Sequence, residues 1–167
     1  MGRATWVVSN IHSDRLYKAL PEEQKLLYFQ LLTHPNGNKA GFFQIDIDMH
    51  RILRGGRSEE ECRDELSTDT ALWLYDRHTD IVLIPTYLKY NKIGSGKTLQ
   101  SMRNELEQLP PTTLCTEFVY RLYEYTEGRG IEYLPPSMVK TAKTLIASKK
   151  ELTVHEAMIN KILCLIR

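Results

Sequence analysis

The chain has 167 residues, 42% hydrophobic and 26% charged, with a formal net charge of +1. That is long enough to bury a core without disulfide or metal staples, and too balanced in charge to be drawn as a whole to nucleic acid or membrane. No apolar run approaches the roughly 18 residues of a membrane span; the opening MGRATWVVSNIHSDRLYKAL lacks the apolar core and cleavage site of a secretory signal, and Cys62, Cys115 and Cys164 are too few and too widely spaced for a disulfide framework or zinc knuckle. These features predict a cytoplasmic protein with reduced, packed thiols and no membrane partner.

In chain order, Pro21 followed by Glu22 and Glu23 marks a helix start, and Leu26, Leu27, Phe29, Leu31 and Leu32 carry the helix to about residue 33. HPNGNKAG ends it, FFQI is a short strand, and DIDMHRILRGG reads as a short helix with Ile47, Ile52 and Leu53 turned inward and Gly55-Gly56 as its stop. Ser58 to Glu61 is a capping box that opens a further helix, SEEECRDELSTDTALW. Two apolar runs, residues 72–75 and 81–84, flank the polar loop Asp76–Asp80 and predict a β-hairpin. Leu99, Met102, Leu106 and Leu109 then share one helix face that stops at Pro110-Pro111. This seam is suited either to a homodimer or to packing against a helix over 113–126. Past EGRGIEYLPP, one helix carries Met138, Val139, Ala142, Leu145 and Ile146 on its apolar side. Another opens with a capping box from Thr153 to Glu156 and places Val154, Met158, Ile162 and Leu165 on one face.

Little in the sequence supports catalysis. KYNKIGSGKTLQ ends in the Gly-Lys-Thr of a phosphate loop, but Asn91 stands where the first glycine should be, and no buried apolar strand precedes it. Asp46, Asp48 and His50 alternate without the glycine and terminal glutamate of a calcium loop, and are better placed as a helix start. With no nucleophile motif either, the expectation is a protein that is not an enzyme, with no metal and no cofactor.

Helix, short strand, helix, helix and hairpin is the order of a winged helix-turn-helix. The predicted fold is therefore α+β and mostly helical, with a winged helix-turn-helix domain and N-terminal arm over 1–93 and a helical extension over 94–167. KALPEEQKLLYFQLLTHPNGNKAGFFQI, SEEECRDEL, the hairpin ending PTYLKYN and the downstream LQSMRNELEQLP together resemble the N-terminal region of DnaD-type primosomal proteins and phage replisome organisers, across about residues 15–125. In that family a proline-started first helix, an hPxxNxxG loop, a wing ending in an hLKYN strand and an ELxxLP helix follow one another. The resemblance implies a noncatalytic protein that binds DNA, self-associates and helps to load a replicative helicase. The family's C-terminal module carries a YxxxIxxxW-like motif, whereas the only tryptophans here are Trp6 and Trp73; the module is not expected in this chain.

Candidate DNA contacts follow from charge. Lys89, Lys92, Lys97 and Arg103 lie in an acid-free stretch with Tyr87 and Tyr90 among them, suited to a phosphate backbone and to unstacked bases. Lys140, Lys143, Lys149 and Lys150 form a second acid-free set, with Lys140 and Lys143 on one helix face. Arg77 and His78 are expected to be exposed at the hairpin tip. Residues 57–69, by contrast, carry a net −4, which phosphates would repel, so Arg51, Arg54 and Arg57 can serve duplex reading only if the carboxylates face away. The acidic helix, with Glu59, Glu60 and Asp64, and the seam of Leu99, Met102 and Leu106 are the candidate protein-interaction surfaces. Three functions compete on these residues. One is a DNA-replication accessory protein that binds DNA, replication proteins or both. Another is an interaction module, such as a phage-encoded inhibitor of a host nucleic-acid machine. The last is a transcription regulator that depends on the three arginines.

Overall fold

The computed structural model describes residues 11, 14–91, 96–128, 130–148 and 153–165. The elements are α1 (Arg15–Ala19), α2 (Glu22–Leu32), β1 (Phe42–Gln44), α3 (Ile47–Leu53), α4 (Glu59–Leu66), β2 (Leu74–Asp76), β3 (Ile81–Leu83), α5 (Tyr87–Tyr90), α6 (Gly96–Leu106), α7 (Cys115–Thr126), a 3-10 turn at Ile131–Tyr133, α8 (Pro136–Ala147) and α9 (Val154–Leu165). The fold is α+β, mostly helical, around one antiparallel sheet of order β1-β3-β2. Among the described residues no helix is long and apolar enough to cross a membrane.

Both capping boxes form. The Ser58 hydroxyl accepts from the Glu61 N–H at 3.2 Å while the Glu61 carboxylate accepts from the Ser58 N–H at 2.8 Å, and Thr153 and Glu156 repeat the exchange at 3.2 and 3.1 Å. Gly55 and Gly56 both take left-handed φ values, +76° and +79°, and the Gly56 N–H closes on the Arg51 carbonyl at 2.8 Å, so α3 stops where expected.

Strand alternation gives the sheet two different faces. Phe42 pairs with Leu83, which also pairs with Leu74; Phe43 pairs with Val82, which pairs with Tyr75. The first row, with Ile81, packs into a core built from α6, α7, α8 and α9, centred on Met102, Leu106, Phe118, Leu122 and Ile159. The second row, with Ile45 and Ile84, packs against Leu27, Tyr28 and Leu31 of α2, Leu66 of α4, and Trp73. Phe42 stacks on Phe118 with ring centroids 4.7 Å apart. The described residues before and after position 94 therefore share one of the two apolar clusters, the one on the Phe42 face of the sheet.

Asp76 ties the same two parts together through a polar contact. Its buried carboxylate accepts from the Thr112 hydroxyl at 2.5 Å, the Thr113 N–H at 3.1 Å and the Thr113 hydroxyl at 3.2 Å, just ahead of α7. Its other oxygen accepts from the His78 N–H at 3.0 Å. Burial opposes its ionisation, but these donors together outweigh burial and hold the carboxyl below its ordinary range.

Several elements differ from the sequence reading. Ile52 and Leu53 are 77% and 48% exposed rather than turned inward, because α3 is seated by Ile47 and His50, one turn apart, and Ile52 projects almost opposite to them. The LKYN stretch is the short helix α5, not the last strand of the hairpin. Pro85 cannot donate to the sheet, and the chain turns at once through the Tyr87 N–H bonded to the Ile84 carbonyl at 3.0 Å. That turn presses Tyr87 onto Gly41, whose φ is +64° and where a Cβ would lie 2.3 Å from the Tyr87 Cβ. In α9, Val154 is 91% exposed, and the inward face is Glu156, Ile159, Ile162 and Leu163. Val154 falls two residues before Glu156 and so points away from it; the side chain of Leu165 lies outside the described residues. Helix α1, capped by Asp14 and pinned by Tyr17 packed against Tyr28, had no counterpart in the sequence reading.

Two histidines are buried beneath α3. His34 stacks on Phe43 at 5.5 Å, and neither its Nε2 nor either ring nitrogen of His50 has a hydrogen-bond partner. Burial is the main cause that lowers each pKa to about 4, reinforced by His50 at His34, and by Arg54 and Arg57 at His50.

Two outcomes are expected. Phe118→Ala should cost about 3–5 kcal/mol in urea unfolding, and the whole chain should still melt in a single transition, because the stacked pair belongs to both parts. The neutral histidines contribute stability that is complete above their unfolded pKa and is lost as pH falls toward about 4. The loss is up to about 3 kcal/mol each, and His50→Gln should flatten the fall in melting temperature between pH 7 and pH 4.

Candidate functional site

Helix α4 and the hairpin carry most of the acidic groups expected to face solvent or a basic partner, and these groups are engaged within the chain. Arg54, 5% exposed at its side chain, forms a fork with Glu65, its Nε donating at 3.0 Å and its Nη2 closer still; Arg57 meets the same carboxylate at 3.2 Å. Arg51 pairs with Asp48 at 3.1 Å and reaches Glu59 at 3.9 Å. Arg63 donates to Glu59 at 3.1 Å and makes two bonds of 3.1 Å to Asp80, which also accepts from the Tyr75 hydroxyl. At the hairpin tip Arg77 is clamped between Asp64, at 2.8 Å, and Glu60, and these bonds raise its pKa.

The net −4 of residues 57–69 is thus met by Arg51, Arg54 and Arg77 from outside the segment, leaving −1. Arg77 is only partly exposed and is held against α4, which corrects the expectation of a free side chain at the tip, whereas His78 is exposed as expected. Arg51, Arg54 and Arg57 point into carboxylates, so a duplex-reading role for them would first require those bonds to break. Glu59, Glu60 and Asp64 remain exposed at their carboxylates, each with an arginine against it.

The hydrophobic seam is also spent inside the chain. Met102 and Leu106 are 0% and 1% exposed and sit in the core with α7, while Leu99 packs at its edge. The packing alternative is therefore realised for Met102 and Leu106, and burial removes both from any partner's reach.

A different set of cations converges on a groove. Helix α6 lies against the 3-10 turn, with Tyr133 Oη 3.4 Å from where a Cβ on Gly96 would stand. This turn leads through Leu134 and Pro135 into α8, so α6 and α8 come to border one groove of about 440 Å3, lined by Arg103, Glu132, Leu134, Pro136, Val139, Lys140, Lys143 and Thr144. Three cations face one carboxylate there. Arg103 also contacts Glu107 at 3.6 Å, but Lys140 and Lys143 have no acidic partner among the described residues. Lys140 and Lys143 are both exposed on α8, and Lys97 is exposed on the first turn of α6. Of the two basic sets read from sequence, the groove joins Arg103 from one with Lys140 and Lys143 from the other.

Lys89 is exposed beside α5, its ammonium 5.4 Å from the Tyr90 ring centroid, and the Tyr90 hydroxyl donates to Asp14 at 3.2 Å. Lys92, Lys149 and Lys150 lie outside the described residues. Nothing in the sequence marks Glu132, Leu134, Pro136 or Thr144 as site residues; EGRGIEYLPP reads as a loop, and only the packing of its last five residues beside α6 and α8 makes a groove wall. Among the described residues no group of three or more His, Cys, Asp or Glu could hold a metal ion.

Comparison with family models, with curated proteins and with solved structures returned no match for the chain.

The Arg54–Glu65 fork sets a stability prediction. Glu65→Gln leaves a buried guanidinium without its counter-charge and should cost about 3 kcal/mol in chemical denaturation. Asp64→Asn, at an exposed pair, should cost under about 1 kcal/mol.

Proposed function

We propose that the chain is a noncatalytic DNA-replication accessory protein, built on a winged helix-turn-helix and acting in the cytoplasm by binding and assembly, without a cofactor. The order α2, β1, α3, α4, hairpin, with β1 paired on the hairpin's second strand, supports the winged-helix reading. So does the resemblance of residues 15–125 to DnaD-type proteins and phage replisome organisers. The observation that carries the DNA-binding part is the convergence of Arg103, Lys140 and Lys143 on one groove, while the arginines of α3, α4 and the hairpin are held by carboxylates. Lysines without acidic partners can trade counterions for phosphates at little cost; arginines already in forks cannot.

A second reading, a protein-interaction module, is favoured by a different surface. Leu26 and Phe29 of α2 are 52% and 43% exposed, and Ile52 and Leu53 of α3 are 77% and 48% exposed. The Gln30 amide donates to the Leu53 carbonyl at 3.4 Å, which places the two helices side by side there. Such a patch suits a replication protein, a host protein or a second copy of the chain.

Electrophoretic mobility shift across a salt series tests the proposal. Binding is expected at low salt and should weaken steeply as salt rises, and Lys140→Gln with Lys143→Gln should reduce the log–log salt slope by about 1 per lysine. Absence of any shift at low salt removes the DNA reading and leaves the interaction module.

A further inference from the structure

We infer that the groove between α6 and α8 holds single-stranded DNA, with phosphates on its cationic rim and an unstacked base on its apolar floor. The inference rests on the DNA-binding reading above and specifies the form of DNA. The rim consists of Arg103 from α6 and Lys140 and Lys143 from α8, and the floor is formed by Leu134, Pro136 and Val139. Duplex DNA offers a protein surface mainly its phosphates, while its base faces are stacked away; an apolar floor between cations finds less to cover in a duplex than in a single strand. A single strand presents both a backbone charge and an uncovered base face within one nucleotide, and the lining pairs cations with the aliphatic Leu134, Pro136 and Val139 to receive them.

Size points the same way. About 440 Å3 falls in the roughly 300–1,000 Å3 range of clefts that enclose a small molecule, enough for a base with its sugar. A duplex instead covers roughly 600 Å2 or more of protein surface even with a small module. Glu132 and the Thr144 hydroxyl, which donates to the Lys140 carbonyl at 3.0 Å, are the other polar groups of the lining, and both have lone pairs to accept from a base edge. Lys140 and Lys143, one turn apart on α8, would meet adjacent phosphates, and their flexible ammonium groups impose no fixed geometry on the strand.

Fluorescence anisotropy with a labelled oligo-dT, and with a duplex of equal length, on the full chain tests the inference, followed by photo-crosslinking of an oligonucleotide carrying 5-iodouracil. Expected are at least about tenfold tighter binding of the single strand than of the duplex, and crosslinks within residues 132–144. Duplex binding as tight as the single strand, or crosslinks confined to α3, α4 and the hairpin, would overturn it while leaving DNA binding itself standing. Failure of both DNA forms to bind at low salt would remove both readings together. Lys140→Gln with Lys143→Gln, exposed substitutions that leave the core untouched, should weaken oligo-dT binding by about tenfold or more at low salt; an unchanged affinity would overturn the assignment to this groove.

Discussion

Each strand of the sheet is three residues long, and a sheet that small depends on packing against helices, which here cover both of its faces. Residues on alternate positions of β1 and β3 are divided accordingly: Phe42, Ile81 and Leu83 go to the α6–α9 side, and Phe43, Val82 and Ile84 to the α2–α4 side. Phe42 on Phe118 and Asp76 on Thr112 and Thr113 then fix where the second layer of helices sits. The groove depends on this arrangement, because the position of α6 relative to α8 is set by the core they share around α7.

Charge is divided as sharply as apolar surface. The described arginines of α3, the turn after it, α4 and the hairpin act as cross-links, Arg54 and Arg63 each through two bonds to one carboxylate, the geometry for which a planar guanidinium is suited. Lysines on α6 and α8 remain outside such networks. Among the described residues a near-neutral chain therefore sets a local cationic cluster beside arginines that are paired internally, and it is local charge, not the total of +1, that a polyanion would meet.

How much of this was legible in the sequence depends on whether its cause was local. The capping boxes at Ser58 and Thr153, the Gly55-Gly56 stop and the apolar runs of the hairpin are determined within a few residues, and all appear. Ile52, Leu53 and Val154 were misplaced because an apolar residue on a short helix is buried only if a neighbour covers that side, which local spacing does not say. The helix at LKYN was missed because the contact of Tyr87 with Gly41 spans 46 residues of chain. The basic residues could be named individually, but Arg103 and Lys140 share a groove only through the packing of α6, the 3-10 turn and α8. The pairing of the arginines with α4 was equally invisible, and it changes what the acidic helix offers to a partner.

The two-faced sheet has a consequence for how the chain is made. During synthesis β1, β2 and β3 leave the ribosome before α7, α8 and α9, so Phe42, Ile81 and Leu83 are available well before Phe118 or Ile159 can cover them. For as long as some 30 to 80 further residues take to emerge, at roughly 5–20 residues per second, that face is bare hydrophobic surface next to two open strand edges. Slow translation just after the hairpin would lengthen that exposure.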